Sequence, residues 1–233
     1  MTHDVAVFGA HPDDAEMGMG GTVAQLVRAG RSVIIVSLTR GERGTFGSQA
    51  ERQREAAAAA AVLGCDHRLL DFPDSGITHD LESRQRIVRL LRQLQPTLVF
   101  APYHTNESGH HDGAAHVDHL ATGALVRDAV KLARMRGVEP RLPAHDVQRL
   151  FYYMVPRDRG PTLLVDVSAE FDVLVRAIRA YASQMAIERH GNRILEILET
   201  LRRHFGVAAG CAYAEAFLCE GPLRADADTL FSL

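Results

Sequence analysis

The feature that most constrains this chain is a short apolar run followed at once by a charged turn. Val5-Ala6-Val7-Phe8 has the composition of a buried strand, and the turn His11-Pro12-Asp13-Asp14 then presents an imidazole and two adjacent carboxylates. Proline has a fixed φ and no backbone donor, so it stiffens this turn. A helical pattern over Gly21–Ala29 follows. The acidic groups therefore lie at a strand-to-helix crossing, where open α/β sheets bind their ligands.

Two adjacent carboxylates, if both are buried, demand a compensating positive charge. Buried groups of like charge repel each other unless a cation or a proton separates them. A metal ion held by His11 and Asp14 would satisfy that demand and leave Asp13 free to act as a base. We therefore expect a metal site at the end of the first strand.

Composition limits the classes of protein to consider. The chain has 233 residues, and we expect residues 1–233 to form a single α/β domain. Its net charge of −3 gives no electrostatic footprint for nucleic acid. No apolar run reaches the roughly 18 residues that span a bilayer, so we expect no membrane partner. Three widely spaced cysteines and the lack of a signal-peptide pattern predict a cytoplasmic location.

Strand and helix patterns alternate along the chain, which favours a parallel sheet with helices on its faces. The expected fold is of the α/β class, with a Rossmann-like, mostly parallel sheet flanked by helices and a C-terminal strand and helix elaboration. The predicted strands lie at 5–8, 32–38, 68–71, 97–101, 150–155, 163–167 and within 206–217. The predicted helices lie at 21–29, 49–63, 81–94, 120–135, 173–185 and 187–205.

A second polar cluster follows the strand at 97–101. Four of the chain's 12 histidines fall between positions 110 and 119. His116 and His119 lie near a helix start, and their spacing presents both rings to one face, as metal ligation requires. Histidines also cluster in loops by chance. This pair carries weight because it follows the C-terminal end of a parallel strand, as His11 and Asp14 do.

The two clusters together contain a metal-binding set. Two histidines and one carboxylate are a common ligand set of catalytic zinc, which keeps a fourth position for water. His11, Asp14 and His119 supply this set, which would accept Fe²⁺ or Mn²⁺ as well as Zn²⁺.

The remaining polar side chains of the clusters have natural catalytic roles. Asp13 lies beside a ligand and is placed to act as general base toward the water. His116 would stabilise an oxyanion or protonate a leaving amine. Asp118 would orient the His116 ring by a hydrogen bond.

The same residues carry a family resemblance. The segment AHPDDAEMGMGGT (10–22) and the motif His116-Val117-Asp118-His119 resemble the PIG-L/LmbE family of zinc-dependent N-acetylglucosaminyl deacetylases. The family signature pairs a His-Pro-Asp-Asp turn with a His-Pro-Asp-His motif. Segments TRGERGTFGS (39–48), AIRAYASQ (177–184) and GCAYAEAFLCEGPL (210–223) resemble more narrowly the bacillithiol-biosynthesis deacetylases, which act on N-acetylglucosaminyl malate. The resemblance covers nearly the whole chain and implies an LmbE-like fold, a zinc cofactor and a homo-oligomer, with hexamers common in the family.

The resemblance also implies roles for individual residues. His11, Asp14 and His119 match the zinc ligands, Asp13 the general base, and His116 the partner acid or oxyanion stabiliser. Arg54 and Asp74 match an arginine and an aspartate that contact the sugar.

Three features leave alternatives open. Val117 stands where the family has proline, which should loosen the turn without removing a ligand. In a different register, His110 or His111 could replace His119 as a ligand. The segment that contains Tyr213 and Glu215 could contact substrate, close a subunit interface or simply pack.

The expected function is hydrolysis of the N-acetyl group of an N-acetylglucosamine conjugate. The alternatives are the same chemistry on another N-acetyl sugar or amide, such as chitobiose or a mycothiol precursor, or a non-catalytic sugar- or nucleotide-binding protein. Gly18, Gly20 and Gly21 do not form the dinucleotide-binding fingerprint directly after the strand. The two carboxylates would also repel a pyrophosphate.

Overall fold

A seven-stranded sheet organises the computed structural model, which describes residues 1–107, 109, 116–156, 159–189 and 191–223. Its strands are β1 (Val5–Gly9), β2 (Val33–Ser37), β3 (Asp66–Leu69), β4 (Leu98–Pro102), β5 (Arg149–Tyr153), β6 (Leu163–Asp166) and β9 (Ala214–Cys219). Two short strands, β7 (Glu188–Arg189) and β8 (Asn192–Arg193), form a separate hairpin. The helices are α1 (Asp14–Arg28), α2 (Gln49–Leu63), α3 (Leu81–Leu94), α4 (Val117–Ala133), α5 (Phe171–Arg179) and α6 (Ile194–Ala209).

The strand order of the sheet is β3-β2-β1-β4-β5-β9-β6. Strands β1 to β5 are parallel, and β9 runs antiparallel to both of its neighbours. The predicted α/β class with a mostly parallel sheet is confirmed. Because the chain order reverses between β1 and β4, a crevice opens at the carboxyl ends of these two strands, where ligands of open sheets bind.

Helices cover both faces of the sheet, and β1 shows how its side chains divide between them. Ala6 and Phe8 lie in one buried cluster with side chains of α3 and α4. Val5 and Val7 lie in another with side chains of α1 and α5. Because both faces are buried, the strand is a continuous apolar run and does not alternate with polar residues.

Helix α1 begins at Asp14, whereas the sequence pattern predicted a start at Gly21. Glycine is a poor helix former, so the glycines between Met17 and Thr22 concealed the helix. Packing explains at least one of them. A Cβ on Gly18 would lie 2.3 Å from Cδ2 of Tyr153 on β5. The missing side chain therefore lets the first turn of α1, which carries Asp14, lie close against the sheet.

The C-terminal third departs most from the predicted elements. The helix predicted at 173–185 ends at Arg179, and a 3₁₀ turn at Ala182–Ala186 follows it. The helix predicted at 187–205 begins only at Ile194, because β7 and β8 occupy the preceding residues. Gly191 has a φ of +76° at the hairpin turn, a left-handed conformation that interrupts a helix. None of the described helices is long and apolar enough to cross a membrane.

A buried ion pair supports a kink in α1. Met19 has non-helical dihedral angles, with φ −152° and ψ 25°. The backbone N–H groups of Gly21 and Thr22, just past the kink, donate to the carboxylate of Glu215 over 3.1 and 2.7 Å. Arg202 donates to Glu215 over 2.7 Å and to the carbonyl of Met17 over 2.9 Å. Of the roles left open for Glu215, the structure shows packing inside the chain.

We predict that Arg202→Met destabilises the fold by about 3–5 kcal/mol, because it leaves the buried Glu215 carboxylate without its counter-charge. Arg203→Met is the matched control. Arg203 is on the same helix, but its ion pair with Glu199 is exposed to solvent and screened by it, so its loss should cost far less. Urea unfolding measures both changes. Equal costs for the two variants would contradict this account of the kink.

Candidate active site

The polar residues singled out in the sequence meet in the crevice between β1 and β4. The turn after β1 contributes His11, Asp13 and Asp14, and the first turn of α4 contributes the motif at 116–119. Asp74 joins them from the loop after β3, with its Oδ1 3.4 Å from Nε2 of His11. Two clusters that are about a hundred positions apart in sequence therefore form one site.

Asp14 lies between the two histidines predicted to share a metal with it. Its Oδ1 is 3.1 Å from Nε2 of His119, and its Oδ2 is 3.5 Å from Nδ1 of His11. Burial opposes ionisation of Asp14, but the rings of His119 and His11 hold the pKa of its carboxyl well below its usual range. The carboxylate is therefore charged and presents both oxygens to imidazole nitrogens.

These donor atoms fit a divalent metal ion. Two imidazoles and a carboxylate lie together here, the residue types of a catalytic zinc site. A ring nitrogen of His116 also lies within 4.8 Å of the nitrogens of His11 and His119. Burial lowers the pKa of His11, but Asp14, Asp118 and Asp74 together raise it to about 12. The carboxylates thus create a field that favours a cation at this position.

Asp118 has a different role from the one predicted. Its carboxylate accepts the backbone N–H groups of Ser75 and Ile77 over 2.7 and 3.2 Å, and it lies 3.1 Å from Nε2 of His11. It therefore orients the ring of His11, whereas we had expected it to orient His116. Side chains two positions apart at a helix start point to different faces, which explains the error.

The ring of His116 is held by a backbone group. Its Nδ1 accepts the backbone N–H of Asp118 over 3.2 Å at the start of α4. A backbone amide can only donate, so in the neutral ring the proton lies on Nε2. Burial lowers the pKa of His116, with the neighbouring rings of His11 and His119 acting in the same direction. The side chain is therefore a neutral hydrogen-bond donor.

Asp13 is held in an unusual backbone conformation next to a buried arginine. Its φ is 104°, in the left-handed region that non-glycine residues seldom adopt. Such conformations persist where the surrounding structure enforces them, and they are common at functional sites. Burial raises the pKa of Asp13 to about 8, and the guanidinium of Arg52, 3.2 Å from its Oδ2, opposes this rise.

The arginine in the site is Arg52, two residues before the predicted Arg54. Arg52 is 4% exposed and also donates to the carbonyl of Pro12. Arg54 is exposed on α2, and the structure does not bring it to this cluster. The sequence itself contains a signal for the burial of Arg52. It shares a helical spacing with Ala56, Ala59 and Leu63, the buried face of α2.

Asp74 lies in the site but is already engaged by the chain. It is 4% exposed, and its Oδ2 accepts the backbone N–H of Arg43 over 2.8 Å. Its own N–H donates to Glu42 over 2.9 Å, which ties the loop after β2 to the crevice as a rim. The hydrogen bond from His11 and burial act in opposite directions on Asp74, and its pKa is lowered to about 2. A contact with sugar stays a prediction, and His110 and His111 lie outside the described residues.

Comparison with known proteins identifies the family of this chain. A family model described as PIG-L: GlcNAc-PI de-N-acetylase matches residues 6–130, more than half of the chain and both halves of the site. The chain belongs to the PIG-L family.

Three relatives show how far the likeness extends. The structure of the conserved protein TT1542 from Thermus thermophilus has 36% identity and a TM-score of 0.87, covering 97% of this chain and 98% of that chain. Diacetylchitobiose deacetylase of Thermococcus kodakarensis is 29% identical, covering 88% of this chain and 78% of the relative. The 1D-myo-inositol 2-acetamido-2-deoxy-alpha-D-glucopyranoside deacetylase of Kineococcus radiotolerans is 27% identical, covering 77% and 68%. This PIG-L chain is an enzyme of the amidohydrolase class.

We predict that Arg52→Ala lowers kcat for acetate release about 100-fold, the lower end of what a positioned general base contributes. The physical reason is that Asp13 loses its only ion-pair partner among the described residues. Metal content should stay unchanged. Arg54→Ala tests the contact implied by the resemblance, since a lost sugar contact would raise KM. A large loss of kcat in Arg54→Ala with little loss in Arg52→Ala would reverse our assignment.

We predict that His119→Ala loses most of its bound metal, because it removes one of the three predicted ligands. His79→Ala is the matched control, since His79 forms an exposed ion pair with Asp128 away from the crevice. Mass spectrometry of metal in the purified proteins gives the result. Full occupancy in His119→Ala would assign the ligand to another histidine.

Proposed function

We propose that this enzyme hydrolyses the N-acetyl group of an N-acetylglucosamine conjugate with a zinc ion held by His11, Asp14 and His119. N-acetyl sugar deacetylase activity is supported by the family match and by the relatives that carry that name. The observation that carries the proposal is the position of Asp13. It is a buried carboxyl next to the predicted ligand Asp14, and its Oδ2 lies 3.2 Å from the guanidinium of Arg52.

The residues around the cluster divide the work of amide hydrolysis. A divalent ion bound there would polarise the amide carbonyl and acidify a water molecule. Asp13 takes the proton from the attacking water, and Arg52 holds its carboxylate in place. His116 donates its Nε2 proton as a hydrogen bond to the developing oxyanion or passes it to the leaving amine. Asp118 keeps the ring of His11 oriented toward Asp14.

The first substrate to test is N-acetylglucosaminyl malate. Its support is the resemblance of segments 39–48, 177–184 and 210–223 to the bacillithiol-biosynthesis deacetylases. Diacetylchitobiose and an N-acetylglucosaminyl inositol are equally supported as candidate substrates, because relatives named for such compounds match this chain at similar identity. The ions Fe²⁺ and Mn²⁺ remain alternatives to zinc in this donor set. The cytoplasmic location and the homo-oligomeric, hexamer-like assembly also stay predictions.

We predict that Asp13→Asn abolishes turnover, with a loss in kcat of about 100- to 10,000-fold, while metal content stays near that of the wild type. The asparagine keeps the size of the side chain, but it can neither accept a proton nor form the ion pair with Arg52. Acetate release from the three conjugates, with and without a chelator, measures the activity.

Each outcome of this experiment decides one part of the proposal. Chelator-sensitive release from one conjugate identifies the substrate class. Bound metal without release from any of them would exclude these sugars. Normal turnover in Asp13→Asn would exclude Asp13 as the base, and a wild-type protein that neither binds metal nor releases acetate would favour a binding protein.

A further inference from the structure

A buried tyrosine from the C-terminal half lies next to the charged groups of the site. Tyr181, just after α5, has no exposed surface. Its hydroxyl donates to Oε1 of Glu16 over 2.8 Å. Glu16 is fully buried in the first turn of α1, two residues after Asp14. The phenol is therefore anchored to the helix that presents the metal-binding carboxylate.

The ring of the same tyrosine packs against the helix that carries Arg52. Tyr181 forms a buried cluster with Ala56 and Ala59 of α2. The guanidinium carbon of Arg52 lies 6.0 Å from the centre of the ring, at the limit of a cation–π contact. Alanines at these two positions leave the space that the ring fills. Tyr181 thus spans the gap between the first turn of α1 and the middle of α2.

Ser183 and Gln184, which follow Tyr181 in the chain, bind α2 and the loop before it. The N–H and hydroxyl of Ser183 both donate to the carboxylate of Glu55 over 2.7 Å. The side chain of Gln184 donates to the carbonyl of Phe46 over 2.9 Å. Tyr181 is therefore held at both ends, by Glu16 on one side and by its own segment on the other.

We propose that Tyr181 is a positioning residue for the hydrolysis, which sets Arg52 against Asp13 by fixing the distance between α1 and α2. This inference rests on the proposed role of Asp13. Arg52 reaches Asp13 and the carbonyl of Pro12 from α2, whereas both acceptors belong to the turn before α1. Any change in the spacing of these two helices therefore changes the geometry of the base. Tyr181 contacts both helices, α1 through Glu16 and α2 through Ala56 and Ala59.

The test is Tyr181→Phe, which removes the hydroxyl and keeps the ring. We expect kcat to fall about tenfold, a fraction of the roughly 100-fold cost of a 1 Å misplacement. KM and metal content should stay within about twofold, since the substrate and the ligands keep their contacts. Tyr213→Phe is the matched control. The structure shows Tyr213 packed inside the chain, with its ring stacked on Phe171 and its hydroxyl accepting from Arg203 on α6, so kcat should not change.

A double-mutant cycle separates positioning from a general loss of structure. In an Arg52→Ala background, Tyr181→Phe should cause no further loss of kcat, because its effect acts through Arg52. An equal loss in both backgrounds would overturn the proposal, as would an unchanged kcat in Tyr181→Phe. A loss of metal in Tyr181→Phe would also overturn it, because the effect would then act on the ligands.

The proposed function and this inference can fail separately. If Asp13→Asn keeps its activity, the role of Asp13 fails. The coupling between Tyr181 and Arg52 is then measured by urea unfolding of the wild type, the two single variants and the double variant. This measurement does not depend on enzyme activity. Non-additive changes in the free energy of unfolding would support the contact between the helices. Additive changes would reject the positioning role whatever the enzyme hydrolyses.

Discussion

The burial of several carboxylates at the end of β1 is the constraint on which the rest of the site depends. Asp13, Asp14, Asp74 and Asp118 are all less than 10% exposed, and like charges this close cannot all stay ionised without compensation. The chain supplies the compensation in separate ways. Backbone N–H groups bind Asp74 and Asp118, a fixed arginine binds Asp13, and the imidazoles of His11 and His119 lie beside Asp14.

The unusual start of α1 follows from the same constraint. To bring Asp14 into the crevice, the first turn of α1 lies against β5, and Gly18 makes this approach possible. The helix then kinks at Met19, and Glu215 binds the N–H groups that the kink releases. A carboxylate at this position resembles an N-cap of the second part of the helix. Glu215, far from the crevice in sequence, therefore helps to hold the geometry of the ligand turn.

The sequence predicted the sheet and the meeting of the two clusters because both depend on local patterns. Apolar strands alternate with helices, and the carboxyl ends of parallel strands share one edge, which placed His11 near His119. The predictions from sequence failed where packing between distant residues determines the structure. The burial of Arg52 beside Asp13, the role of Asp118 toward His11 and the hairpin of β7 and β8 depend on contacts with distant residues. The buried face of α2 alone contained enough periodicity to have found Arg52.

Tyr181 shows why contacts between the residues that support a site are hard to predict from a sequence. Its three links, to Glu16, to Ala56 and Ala59, and toward Arg52, join α1, α2 and the segment after α5. No regular spacing in the sequence relates these positions. Alanine is a strong helix former, so the alanines on α2 do not by themselves indicate a contact. Only the fold shows that they are small because a ring lies against them. The arrangement connects the C-terminal half of the chain to Asp13 through the packing of α1 against α2.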